Sequence, residues 1–152
     1  MWEINTMKQD EAMEIADFWK YPAPYSFYNL TEDIEDYNEI INPEERQDKF
    51  FTIQEDDSLI GYFCLEMNSE SISLGLGMKP NLTGNGNGNK FLDYIINFIK
   101  NTYNVKKITL SVVDFNTRAF KVYIKSGFKV TGETKNYTNG GVYNFINMEK
   151  YL

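Results

Sequence analysis

The chain has 152 residues, 42% hydrophobic and 16% aromatic, enough for one domain with its own core and too apolar for disorder. It has no histidine and one cysteine, which excludes Ser–His and Cys–His nucleophiles, His-ligated metals and an internal disulfide. A formal charge of −7 argues against phosphate-backbone binding as the main task; it suits a cationic acceptor, and simple solubility accounts for it equally well.

Met1–Thr6 alternates like a first strand, and Ala12, Met13, Ile15, Ala16 and Trp19 recur at helical spacing over Lys8–Trp19. The aromatic loop Tyr21-Pro22-Ala23-Pro24-Tyr25-Ser26-Phe27-Tyr28 follows, its prolines barring a regular helix or central strand. Thr31 reads as the N-cap of an acidic second helix, TEDIEDYNEII, stopped at Asn42-Pro43. Strands are expected at Phe50–Gln54, Leu59–Met67 and Ser71–Met78, joined by the turns Glu55–Ser58 and Asn68–Glu70. Cys64 falls inside the second of these, where a small core hydrophobe is the commoner role than a nucleophile.

Beyond Thr83–Asn89, the residues Phe91, Leu92, Ile95, Ile96, Ile99 and Tyr103 mark an amphipathic helix, followed by a buried-type strand at Lys107–Val113. Thr117–Lys125 reads as a short helix stopped by Gly127. Strands Phe128–Lys135 and Val142–Lys150 flank the hairpin signal Thr138-Asn139-Gly140-Gly141. The expected order is β α α β β β α β α β β, an α/β mixed sheet in a single domain over 1–152, with a βαβ crossover in its middle. No apolar run approaches the ~20 residues of a membrane span, and MWEINTMKQDE has neither the basic nor the apolar region of a signal peptide. A cytoplasmic protein is expected, with no membrane or nucleic-acid partner; a homodimer is the candidate assembly.

Gly84, Gly86 and Gly88 alternate with Asn85, Asn87 and Asn89 between a strand and the crossover helix. Both residue types tolerate left-handed backbone angles, so successive N–H groups can curl around an anion where the helix dipole favours one. Lys90 then sits in the first helical turn, mildly unfavourable unless a phosphate is bound. The Walker pattern fails because Asn89 and Phe91 stand where it requires Gly and Ser/Thr, and G-x-G-x-x-G fails in both registers. Alone, the run fits a plain flexible turn as well as a phosphate cradle.

Downstream, Asn116 and Tyr123 are seven residues apart, two helical turns, and project on nearly the same face. That pair reads either as an N-cap and a core residue, or as polar contacts for an extended ligand. Thr83-Gly84-Asn85-Gly86-Asn87-Gly88 is similar to the Q/R-x-x-G-x-G/A pyrophosphate motif of the GNAT superfamily of N-acetyltransferases, with Thr83 in place of Gln or Arg. Asn116-x-x-Ala119-x-x-x-Tyr123-x-x-x-Gly127-Phe128 resembles that family's second hallmark at full spacing, and the aromatic loop resembles a bacterial, ribosomal-protein-acetyltransferase-like branch.

The resemblance implies a GNAT fold and transfer of an acetyl group from acetyl-CoA to a primary amine, on a small molecule or a peptide N-terminus, in a ternary complex. It implies cofactor contacts from Met78, Thr83, Gly84, Asn85, Gly86, Asn87, Gly88, Asn89, Lys90, Asn116 and Phe120, with Gly75 and Gly77 allowing close approach. Tyr123 would protonate the leaving thiolate. Trp19, Tyr21, Tyr25, Phe27, Tyr28 and the acidic stretch Glu32–Asp36 would face the acceptor, aromatics and carboxylates together suiting a cation. Where ribosomal-protein acetyltransferases commonly place a glutamate this chain has Ser111, so Glu66, Asp114, Glu32, Asp33 or a water-mediated path remain for the base. A CoA-binding sensor that has lost its chemistry is the alternative, and an NTP- or NAD-dependent protein the third.

Overall fold

The computed structural model describes residues 1–152. The elements are β1 (Trp2–Thr6), α1 (Gln9–Phe18), α2 (Ile34–Ile41), α3 (Pro43–Arg46), β2 (Phe50–Glu55), β3 (Ser58–Met67), β4 (Ser71–Met78), α4 (Gly88–Thr102), β5 (Lys107–Val113), α5 (Thr117–Lys125), β6 (Lys129–Thr138) and β7 (Gly141–Tyr151). The strands form a seven-stranded mixed sheet in the order β1-β2-β3-β4-β5-β7-β6. The expected succession of strands and helices is therefore found, with α3 and three short 3-10 turns added. The chain divides into two compact units, the first made of Met1–Cys64, Leu76–Leu82 and Thr138–Gly141, the second of Leu65–Gly75, Thr83–Tyr137 and Val142–Leu152.

In the first unit β2 pairs antiparallel with β1 and β3. The β2–β3 turn places Asp56 and Asp57 both at positive φ, the conformation a two-residue hairpin turn favours. Phe50, Phe51, Thr52 and Ile53 are all buried, and the Phe51 ring stacks on Phe63 at 5.0 Å. Ala12, Ile15, Ala16 and Trp19 form a core with Met7, Ile40 and Phe50, with Tyr62 and Cys64 of β3 packed against it. Glu11 fastens the start of α1, accepting from the Lys8 N–H at 2.8 Å and from the Gln54 side chain.

The second helix starts later than its sequence suggests. Asp33, not Thr31, is the N-cap of α2, accepting from the N–H groups of Glu35 and Asp36. The Thr31 hydroxyl accepts from Lys20 Nζ at 2.8 Å instead, and Leu30–Glu32 forms a separate 3-10 turn. An ionised carboxylate is a stronger acceptor for helix N–H groups than a hydroxyl, so Asp33 outcompetes it. Asn42-Pro43 ends α2 as expected but also opens α3, with Asn42 as cap and the proline in the first turn, where its missing N–H costs nothing.

In the second unit α4 buries Phe91, Leu92, Ile95, Ile96 and Ile99, one face at helical spacing. Leu65, Ile72, Leu74, Ile108, Leu110, Val112, Val113 and Met148 are buried hydrophobic strand residues of this unit. β5 pairs antiparallel with β7 along its whole length. With β4 it pairs in parallel only at Ser71–Lys107, Ile72–Ile108 and Ser73–Thr109; from Leu74 and Leu110 onward the two strands are no longer partners. A parallel pair that stops short leaves backbone donors and acceptors on both strands for another ligand.

Candidate cofactor and acceptor site

The glycine loop belongs to the second unit. Gly84 and Gly86 lie at φ +75° and +80°, so the expected left-handed geometry is present at two of its glycines. A Cβ on Gly84 would stand 3.1 Å from Nη1 of Arg118, and one on Gly88 would stand 2.9 Å from Val122 Cγ2. A Cβ on Gly86 would meet open space. Asn87 precedes α4 without a side-chain cap. The loop is thus a backbone cradle opening an uncapped helix, with a guanidinium against its first glycine, and these residues fit a diphosphate.

Asn89 and Asn116 have structural roles. Asn89 Nδ2 donates to the Val122 carbonyl at 3.0 Å and to Ser126 Oγ at 2.8 Å, tying α4 to α5. Ser126 Oγ in turn donates to Asp93 at 3.0 Å. Asn116 is buried and caps α5, its Oδ1 accepting from the Ala119 N–H at 3.1 Å. Tyr123 is half-buried and edge-on to Phe128 at 5.9 Å, and Gly127 closes α5 at φ +97°. Phe120 is half-buried and Lys90 is exposed. Where β4 and β5 cease to pair, Ser73, Leu74, Thr109, Leu110, Ser111, Thr131, Asn147 and Met148 line an open cavity of about 330 Å³. Ser111, at the position where a glutamate was looked for, donates to Asn147 Oδ1 at 2.7 Å.

The aromatic loop belongs to the first unit, with the end of β4. Tyr21 donates its phenol proton to the Met78 carbonyl at 2.7 Å, and its N–H donates to Asn29 Oδ1 at 2.8 Å. Burial raises the Tyr21 pKa well above its ordinary value, so it stays a neutral donor. Asn139 Nδ2 donates to the Phe27 carbonyl at 2.6 Å and Thr138 Oγ1 to Asp33 at 2.7 Å, so the β6–β7 turn braces the loop and the start of α2. Tyr25 and Phe27 are half-buried, while Tyr28, edge-on to Phe27 at 5.3 Å, and Glu32 are exposed. Trp19 is a core residue, 4% exposed, its indole N–H donating to Glu14; it contributes to this wall by supporting Tyr62, whose ring centre is 6.1 Å away.

Tyr62 was not singled out from the sequence, and Asp36 was read only as the end of the acidic stretch Glu32–Asp36. Tyr62 lies against Gly77 so closely that a Cβ there would stand 2.5 Å from Tyr62 Cε1. Burial, then the neighbouring Tyr21, Cys64 and Asp36, hold its phenol protonated. Asp36, on an open acidic depression of about 350 Å³ shared with Glu35, Glu39, Glu45 and Lys49, has its carboxyl pushed up to about 6, by burial first and then by Asp33, Glu39 and Glu35. The signal for Tyr62 was its alternation with buried Phe63 in a strand two residues before Cys64; nothing local marks Asp36 among its acidic neighbours. Asp33, by contrast, is lowered by the Thr138 hydroxyl and the α2 N–H groups it accepts from, and is held as a structural anion.

No helix is long and apolar enough to cross a membrane, and no group of His, Cys, Asp or Glu is arranged to hold a metal ion. The family model described as an acetyltransferase (GNAT) domain matches residues 4–145. No curated protein is a significant match. Among solved structures, a spermidine N-acetyltransferase from Vibrio cholerae in complex with CoA and spermine is similar at TM-score 0.77 and 19% identity, over 99% of this chain and 95% of that one. A ribosomal-protein-S5-alanine acetyltransferase from Vibrio fischeri is similar at TM-score 0.69 and 16% identity, over 99% and 92%. A GNAT-family acetyltransferase from Streptococcus pneumoniae is similar at 0.68 and 15%, over 100% and 99%. At these identities the likeness establishes the fold. With the family model spanning nearly the whole chain, and both sequence hallmarks found on the loop and helix that such a fold requires, the protein belongs to the GNAT family and is an acetyl-CoA-dependent N-acetyltransferase.

Proposed function

We propose that this acetyltransferase acts on a primary amine carried by a cationic molecule, by direct attack within a ternary complex. The observation that carries the reading is the cradle at Gly84–Gly88, with two left-handed glycines opening a helix that no side chain caps. Acetyl-CoA, when bound, supplies an acyl group activated as a thioester. Thr83, Asn85, Asn87 and Lys90 join the cradle in holding it, while Asn89 acts by tying α4 to α5 and Asn116 by capping α5. Tyr123 would be the acid that supplies a proton to the thiolate leaving group.

The acceptor side is the Tyr21–Tyr62–Asp36 group with Tyr25, Tyr28 and Glu32. Neutral phenols and carboxylates attract an ammonium, and a carboxyl titrating near 6 is suited to take its proton around neutral pH. Asp36 thereby displaces Asp33, which is committed to capping α2, as the favoured base. Two proteins of similar structure, a spermidine N-acetyltransferase and a ribosomal-protein-S5-alanine acetyltransferase, mark the amine classes to test first. Cys64 forms no disulfide, which suits a reducing compartment, and we assign the enzyme to the cytosol on that reading.

The test is thiol release from acetyl-CoA across a panel of polyamines, aminoglycosides and alanine-terminated peptides. Release with at least one cationic primary amine is expected. Tight CoA binding with no release across the panel would show a binding protein without chemistry.

A further inference from the structure

The loop lacks the side-chain cation or amide expected at its first position, where Thr83 stands. Backbone N–H groups alone carry only partial charges, and the chain as a whole is at −7, so a polyanion needs a local source of positive charge. α5 has that source. Its sequence TRAFKVYIK contains no acidic residue, and Arg118, Lys121 and Lys125 recur at i, i+3 and i+7, one exposed stripe. Of these three, Arg118 is the one seen against a loop glycine: its Nη1 is 3.1 Å from the point where a Cβ on Gly84 would stand.

We propose that Arg118 supplies, from α5, the guanidinium that the phosphate loop lacks at Thr83, so that the diphosphate of CoA is held between the N–H groups of Gly84–Gly88 and this side chain. The inference rests on the CoA reading of the loop. It gives Gly84 a second reason for being glycine besides its positive φ, since any side chain there would push the guanidinium away. A planar fork matches two phosphate oxygens, so lysine is a partial substitute only.

The experiment is calorimetric titration with CoA and with 3′-dephospho-CoA on wild type, R118A, R118K, T83R and the R118A/T83R double variant. Arg118 is exposed, so the ligand-free melting temperature of R118A is expected to match wild type. R118A should bind both ligands about tenfold more weakly or worse, and R118K should fall between. T83R should restore affinity in the R118A background. Unchanged affinity in R118A, a loss confined to CoA and absent with dephospho-CoA, or a folded double variant that regains nothing, would each overturn the proposal. Wild type that binds neither ligand would instead overturn the CoA reading itself.

Discussion

Tyr62 occupies the space that a side chain at residue 77 would need: its Cε1, Cζ and hydroxyl lie 2.5, 3.0 and 3.2 Å from the Cβ position of Gly77. A ring atom of a half-buried tyrosine is not a flexible tip, so Gly77→Ala must displace the ring or the strand. We expect a loss of about 1–3 kcal/mol by chemical denaturation, the usual cost of overpacking. In a Tyr62→Ala background the same alanine should cost much less. Strict additivity of the two substitutions in a double-mutant cycle would show that they are not in contact.

Tyr123→Phe keeps the edge-on contact with Phe128 and removes only the hydroxyl. Turnover is expected to fall about a hundredfold, with the CoA dissociation constant within about twofold of wild type. A normal rate would take Tyr123 out of the proton transfer.

Asp36 has a folded-state pKa raised from 3.8 to about 6. Its contribution to stability is therefore fully present below the unfolded value and is lost as pH rises through the folded one. Asp36→Asn should match wild type at pH 3.5 and be the more stable protein at pH 7. Asp36 remains open to solvent on its outer side although its carboxyl is crowded by Asp33, Glu39 and Glu35, and solvent screening limits the gain to about 0.5–1 kcal/mol. The same variant should lower kcat/KM for a cationic amine. Thermal melts that show the same difference at both pH values would contradict the assignment.

Thr52 is fully buried in β2 with no hydrogen-bond partner for its Oγ1. Thr52→Val removes an unsatisfied hydroxyl at nearly constant shape and should stabilise the protein by about 1 kcal/mol. A destabilised valine variant would mean that the hydroxyl does find a partner in solution.

The elements with one dominant local pattern were legible without a structure. Ser71–Met78, Lys107–Val113 and Thr117–Lys125 have the expected bounds, and the left-handed turn residues Asn139 and Gly140 fall in the hairpin signal. The start of α2 was misplaced because Thr31 and Asp33 are both plausible caps by type; the choice is settled by the N–H groups of Glu35 and Asp36 and by Thr138, far along the chain. The left-handed backbone of the loop was legible because it is written as glycines, and Gly84 and Gly86 do lie at positive φ. Tyr62, Asp36 and Arg118 were not, since each becomes informative through a residue distant in sequence. Tyr62 shows through Gly77, Asp36 through its electrostatic effect on Tyr62, and Arg118 through Gly84. Trp19 was over-read for the converse reason, an aromatic beside an aromatic loop that burial assigns to the core.

The central claim is that the Gly84–Gly88 cradle is a CoA site, and the most direct measurement is a set of parallel calorimetric titrations of the wild-type protein with CoA, ATP and NAD. The account predicts saturable binding of CoA in the micromolar range, with ATP and NAD weaker by at least about tenfold. Saturable binding of ATP or NAD with no heat from CoA would contradict it.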